Sequence, residues 1–287
     1  MSFRSYLFVP ADSPRKLARA AASAADALIL DLEDAVAPTN KTAARDEVAR
    51  FLARPAPMSR FVRVNPLASG LTEADVAATA AGSPQGYVLP KCEGPDDIEA
   101  LAGLIAKHGG KESTGIMAIG TESVRGLRRL MREDWFHPRL VALTWGGEDL
   151  CADMGAERNR DEAGRYYGPF LMARDLTLLA ALEAGVAPVD AVYTDFRDEA
   201  GLWRETRLAK ALGFTGKMAI HPAQVPVIHR AFQPEPAEIR WAKAVIEALE
   251  SAGEGVAELN GTMIDRPHLL RAHKILRLHA GAAGQAS

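Results

Sequence analysis

Residues 27–34 read ALILDLED: four apolar side chains in succession, then acidic residues around a single leucine. A run this short and continuous suits a strand buried on both faces, as in a parallel sheet. A strand with one wet face would alternate apolar and polar positions. Seven further runs have the same form and end in polar residues: 5–10 (SYLFVP), 60–65 (RFVRVN), 86–91 (GYVLPK), 115–122 (GIMAIGTE), 140–149 (LVALTWGGED), 190–196 (DAVYTDF) and 216–222 (GKMAIHP). Most are separated by segments in which apolar residues recur every three or four positions, the helical period, as over 14–25, 41–53, 96–108, 124–131, 168–184 and 199–212. Eight strands alternating with helices predict an α/β fold, the closed (β/α)8 TIM barrel. The competing topology, an open doubly wound sheet, usually carries a glycine-rich first βα turn; here that turn, VPADSPRK over 9–16, has no glycine.

The barrel is complete near Pro222. Pro234 and Pro236 bracket a break after Phe232, which sets the expected division: a catalytic barrel over 1–232 and a C-terminal helical extension, or lid, over 233–287. Within the extension, 238–251 and 266–278 read as helices and 253–260 as a loop. A chain of 287 residues is ordinary for one barrel and long enough to bury a large core without staples. The net charge of −3 gives no electrostatic reason to expect nucleic acid or a membrane surface as partner. Cys92 and Cys151 form no CxxC pair and lie near no histidine at zinc spacing, so neither a disulfide framework nor a structural zinc site is expected. The N-terminal stretch lacks the apolar core of a signal peptide, and no apolar run reaches the ~18 residues of a membrane span. The expected location is cytoplasmic.

Barrel enzymes build their sites at the C-terminal ends of the strands. Here those ends carry Asp31, Glu33 and Asp34, then Arg63 and Asn65, Lys91, Glu122, Glu148 and Asp149, Asp195, and His221. Glu122 and Asp149 end consecutive strands and can converge at the mouth, and two carboxylates plus waters are how proteins usually hold Mg²⁺, with Mn²⁺ as its substitute. The competing reading is that each caps the following helix. Arg63, inside an apolar strand, suits capture of a carboxylate or polarisation of a carbonyl; the alternative is an internal ion pair to Glu33 or Asp34. Asp31, Glu33 and Asp34 cannot all face one way, so some of them orient Arg63 or bind around the metal, together with Glu148. Arg15 and Lys16, at the start of the first helix, are candidates for coenzyme A phosphates, against the plainer reading of a solvated face. Asp265, in GTMIDRPH, is either a helix cap or a catalyst.

Taken in order, RSYLFVPADSPRKLARA, ALILDLEDAV, FVRVN, VLPK, TES, GGEDLCADMGA, DFRDEAGL, LGFTGKMAIHPAQV and GTMIDRPH resemble the citrate lyase beta-chain-like family, within the metal-dependent aldolases that include malyl-CoA and citramalyl-CoA lyases. The resemblance runs from the first strand to the last helix. It implies Mg²⁺ held by Glu122 and Asp149, Arg63 polarising the substrate carbonyl or thioester, and Asp265 reaching the site of a neighbouring subunit in a homotrimer or hexamer. The implied activity is carbon–carbon cleavage of a 3-hydroxyacyl-CoA into acetyl-CoA and a 2-oxo acid. A thioesterase on the same site, the lyase subunit of a citrate lyase complex and a non-catalytic CoA-binding protein are the rival readings. The chain departs from the family in TES, where Thr121 precedes the glutamate in place of an ETA-like arrangement.

Overall fold

In the computed structural model, which describes residues 3–253 and 255–283, eight parallel strands close into a barrel in chain order. They are β1 (Ser5–Pro10), β2 (Ala27–Asp31), β3 (Ser59–Arg63), β4 (Gly86–Leu89), β5 (Gly115–Ile119), β6 (Leu140–Thr144), β7 (Ala187–Asp190) and β8 (Gly216–Ala219). The connecting helices are α1 (Pro14–Ala21), α2 (Lys41–Leu52), α3 (Thr72–Thr79), α4 (Pro95–Lys107), α5 (Val124–Leu130), α6 (Gly147–Asp153), α7 (Gly168–Glu183), α8 (Glu199–Leu212) and α9 (Gln224–Phe232). Several start where local chemistry requires. Ser13 caps α1 ahead of Pro14, Ser123 accepts from the Gly126 amide at α5, and Asp198 accepts from the Gly201 amide at α8. Among the described residues no helix is long and apolar enough to cross a membrane.

The barrel interior is filled by Tyr6, Ala27, Ile29, Phe61, Val88, Met117, Ile119, Ala142, Val189 and Met218. Each fully buried side chain of the Leu, Ile or Phe class contributes about 1.5–3 kcal/mol. Strand side chains alternate in direction, so the inward phase of β2 continues from Ala27 and Ile29 to Asp31, and that of β3 from Phe61 to Arg63. Asp31 and Arg63 are register partners, so an acid and a base cover the apolar plug side by side at the barrel mouth.

The chain divides into two compact units, Met1–Ala231 and Phe232–Ser287. The second contains α10 (Pro236–Ala252), the strands β9 (Ala257–Leu259) and β10 (Thr262–Ile264), and α11 (Arg266–Ala283). Its core is Ala242, Val245, Leu249, Ile264, Ala272 and Ile275. The expected loop over 253–260 is in part the first arm of an antiparallel hairpin, turned at Asn260 and Gly261, both with positive φ.

Most strands stop short of the ends read from sequence: β2, β3, β4, β5 and β8 end at Asp31, Arg63, Leu89, Ile119 and Ala219, so Glu33, Asp34, Asn65, Lys91, Glu122 and His221 follow their strands, and β6 and β7 differ further. β6 stops at Thr144, so Glu148 and Asp149 lie in the first turn of α6 rather than on the strand. β7 is Ala187–Asp190, not 190–196, so Asp195 falls in the following loop, exposed, with its carboxylate accepting from the Arg197 amide.

Candidate active site

Arg63 is the fixed point of the mouth. Its Nε and Nη2 donate to the two oxygens of Asp31 at 2.8 and 2.6 Å, a bidentate fork, and its guanidinium lies 4.8 Å from the Phe8 ring centre. Burial opposes its charge, but Asp31 outweighs that and holds the guanidinium pKa above its ordinary value. Asp31 in turn accepts from the Glu33 amide at 2.9 Å, so one carboxylate shapes the turn and aims the arginine. Lys41 pins the same turn from outside, donating to the Leu32 and Glu33 carbonyls at 2.6 and 2.7 Å.

Glu33 is buried, with Oε1 accepting from Lys91 Nζ at 2.6 Å. Its Oε2 lies 2.8 Å from Arg63 Nη1 but is not aligned for a hydrogen bond, so that oxygen has Coulomb attraction alone. Burial pushes the Glu33 carboxyl up, and Arg63 and Lys91 offset this only in part. Asp34 is largely exposed, 3.8 Å from Arg63 and 3.9 Å from Lys91. It caps no helix: the 3-10 turn Pro38–Asn40 that follows has no side-chain cap.

Glu122 follows β5 and is buried. It does not cap α5, since Ser123 does. Its Oε2 accepts from the Lys91 amide. Burial, and then the negative charge of Asp149, push its pKa up to about 8. Gly146 is what lets it sit there: a Cβ at that position would come within 2.5 Å of Glu122 Cγ. Asp149 Oδ1 is 3.5 Å from Lys91 Nζ. Glu148, one residue earlier on α6, turns away; its Oε1 accepts from Asn159 at 2.8 Å. The structure therefore brings Arg63, Glu33, Asp34, Glu122 and Asp149 together and leaves Glu148 outside the cluster.

Lys91 is the member that sequence reasoning placed at the mouth without assigning it a role. Its backbone is left-handed, with φ of +49°, a region that costs a non-glycine residue about 1–2 kcal/mol. That conformation aims its amide at Glu122 while its ammonium reaches Glu33 and Asp149. Burial lowers its basicity, but Glu33 more than compensates and keeps the ammonium charged. The sequence signals were its place just beyond β4 and in the stretch VLPK.

Arg15 and Lys16 are exposed in the first turn of α1. His221 stacks on Phe196 with ring centres 5.1 Å apart, and its Nδ1 accepts from the Ala223 amide. Within the second unit, Asp265 is partly exposed and its Oδ1 lies 2.7 Å from His268 Nδ1.

The residues fit a hard divalent cation. Glu122 and Asp149 are like charges held together, Glu122 out of water, and the surrounding donors are oxygens. Among the described residues no group of three or more His, Cys, Asp or Glu side chains is gathered as a metal cage, so water and substrate would supply the remaining coordination.

Residues 4–222 match the family described as HpcH/HpaI aldolase/citrate lyase. The chain is 36% identical to the mitochondrial citramalyl-CoA lyase of Rattus norvegicus, across 96% of this chain and 85% of that protein. It is also 36% identical to a (3S)-malyl-CoA thioesterase of Cereibacter sphaeroides, across 99% of this chain and 98% of that one. Among solved structures, the protein CitE of Mycobacterium tuberculosis in complex with magnesium, acetoacetate and coenzyme A superposes with a TM-score of 0.86 at 34% identity, covering 97% of this chain and 98% of that chain. Family match, near full-length relatives and a shared barrel converge: this chain is a member of the HpcH/HpaI aldolase/citrate lyase family.

Proposed function

We propose that this chain is a Mg²⁺-dependent carbon–carbon lyase that splits a 3-hydroxyacyl-CoA, such as malyl-CoA or citramalyl-CoA, into acetyl-CoA and a 2-oxo acid. The observation that carries the reading is the pair Glu122 and Asp149, repelling each other beside an arginine locked by Asp31. The lyase name of the rat relative and the magnesium and coenzyme A bound by the mycobacterial protein support it.

Glu122 and Asp149 hold the ion, which when bound supplies Lewis-acid polarisation of the oxo-acid oxygens. Arg63, prealigned by Asp31, offers its remaining N–H groups to the thioester oxygen, where negative charge grows as the bond breaks. In cleavage the substrate hydroxyl gives its proton to water, the electron pair of the C–C bond passes into the thioester enolate, and Asp265, protonated from water, delivers that proton to the enolate carbon. The two transfers cancel, so the net reaction consumes no acid. Asp265 acts from a second copy of the chain, in a homotrimer or hexamer, and His268 holds its carboxylate. Arg15 and Lys16 meet the coenzyme A phosphates. Free Cys92 and Cys151 suit a reducing compartment such as the cytoplasm.

The assay incubates the protein with Mg²⁺ and malyl-CoA or citramalyl-CoA and follows acetyl-CoA, 2-oxo acid, free CoA and hydroxy acid together. Acetyl-CoA with glyoxylate or pyruvate is the expected result. Free CoA with malate instead would establish the thioesterase reading, which the equally identical Cereibacter relative favours. The shared site has its own test. Asp265→Asn and Glu122→Gln should each be nearly inactive, and mixing the two after subunit exchange should restore part of the turnover. No recovery would place Asp265 outside a neighbour's site.

A further inference from the structure

Lys91 occupies a position where glycine is the natural choice. At φ of +49° a side chain is strained, and glycine would adopt the same backbone freely while donating the same amide to Glu122. The amide therefore does not explain the lysine; the ammonium must. Nζ lies 2.6 Å from Glu33, 3.5 Å from Asp149 and 3.9 Å from Asp34, so it is shared among three carboxylates from two sides of the mouth. One of these is also a proposed ligand of the divalent ion.

We propose that Lys91 is a tethered cation that competes with the divalent ion for the mouth carboxylates and so sets how tightly the ion is held. The inference rests on the metal reading above. An ammonium drawn to Asp149 lowers the negative potential the ion would feel, and the two positive charges repel each other across the mouth. Glu33, hydrogen-bonded to Lys91 and in ion-pair range of Arg63, is where the ammonium is retained when Asp149 turns to the metal. The lysine thereby keeps the ion exchangeable and the carboxylates spaced, at the cost of affinity.

The test strips the full-length protein with EDTA and titrates Mn²⁺, reading free aquo-Mn²⁺ by electron paramagnetic resonance. Lys91→Gly keeps the left-handed backbone and the Glu122 contact but removes the ammonium. It should bind Mn²⁺ about tenfold more tightly, because a charge within a few ångströms typically moves an equilibrium by a factor of ten or more. Lys91→Met should tighten binding in the same direction. Unchanged or weaker binding in both overturns the inference while leaving the metal site standing. No Mn²⁺ binding by the wild type, or undiminished binding by Glu122→Gln, removes the metal reading and the inference with it. A second readout needs no variant. Acylation of Lys91 by an N-hydroxysuccinimide ester, followed by peptide mass spectrometry, should accelerate when Mg²⁺ is added; an unchanged or slower rate overturns the proposal.

Discussion

Two clusters of charged side chains, one buried within the barrel wall and one open at its mouth, are built on opposite principles. On the β7–β8 side, Asp190 accepts from Trp145 at 2.9 Å, from Arg174 at 3.0 and 3.1 Å, and from Lys217 at 2.8 Å. Lys217 also donates to Glu205 at 2.9 Å, and Glu205 pairs with Arg160 at 2.6 Å. Arg160 stacks over Tyr166, 3.6 Å from its ring centre. Signs alternate along the chain of contacts, and the Asp190 carboxyl is held well below its usual range: Lys217 and Arg174 overcome the cost of burial. On the β2–β6 side, five carboxylates (Asp31, Glu33, Asp34, Glu122 and Asp149) share the ion pairs of Arg63 and Lys91, and Lys41 adds its charge to Asp31, Glu33 and Asp34 through the turn it holds. There Glu33 has an oxygen without a hydrogen bond, Glu122 is pushed up to about 8, and Lys91 is strained.

The difference separates structure from function. A satisfied network stabilises one arrangement and needs nothing from outside. A cluster with surplus charge, an unbonded oxygen and a strained backbone is stable only because the fold holds it, and such conflict is characteristic of sites completed by a ligand.

Four measurements break or sharpen the contrast. The largest effect should come from Lys217→Met, which leaves Asp190 and Glu205 short of a partner in a buried network. It should cost about 3–5 kcal/mol of stability, read as a shift in the urea midpoint. Glu122→Gln should do the reverse at the other cluster. Turnover should fall by about 10²-fold or more, the scale of a lost electrostatic or metal contact. Yet the EDTA-treated variant should melt a few degrees higher than wild type near pH 8. The sign follows from linkage. A carboxyl with a raised native pKa destabilises the fold increasingly as pH climbs from the ordinary glutamate value of about 4.3 towards about 8, so the gain should shrink towards pH 5. Gly146→Ala places a methyl 2.5 Å from Glu122 Cγ and should lower kcat/KM by roughly 10–100-fold, the range for disturbing a ligand through its neighbours, with little change in melting temperature. The smallest effect is on acid stability. Asp190, with its depressed pKa, contributes stability that is present above the ordinary aspartate value of about 3.9 and is lost as pH falls through its lower native value. Urea midpoints between about pH 5 and pH 3 should fall more steeply for wild type than for Asp190→Asn.

The barrel was legible because its strands are short apolar runs, and the mouth because acids and Arg63 interrupt those runs at their ends. Four features were hidden for physical reasons. β7 was displaced in the sequence reading because Ala187–Asp190 holds Pro188 and ends in a charge, neither expected inside a buried strand; the pairing of Asp190 with Arg174 and Lys217 is a tertiary fact. The hairpin β9–β10 had a signal, Asn260-Gly261, a dipeptide suited to positive φ at both positions, and it was read as plain loop. Lys91 was placed at the mouth but given no role, because that role depends on a left-handed backbone that no neighbouring residue type announces. Glu148 was expected around the metal beside Asp149, but on a helix adjacent residues point about 100° apart, and Glu148 bonds Asn159 while Asp149 lies beside Lys91.

The central claim is that the conflicted cluster is a metal site and the satisfied one is scaffold. Equilibrium dialysis of Mn²⁺ against the wild type, Glu122→Gln, Asp149→Asn and Lys217→Met tests it directly. The account predicts one ion per chain for the wild type and for whatever fraction of Lys217→Met is folded, with binding lost in the two carboxylate variants. Equal binding by all four proteins, or none by the wild type, would contradict it.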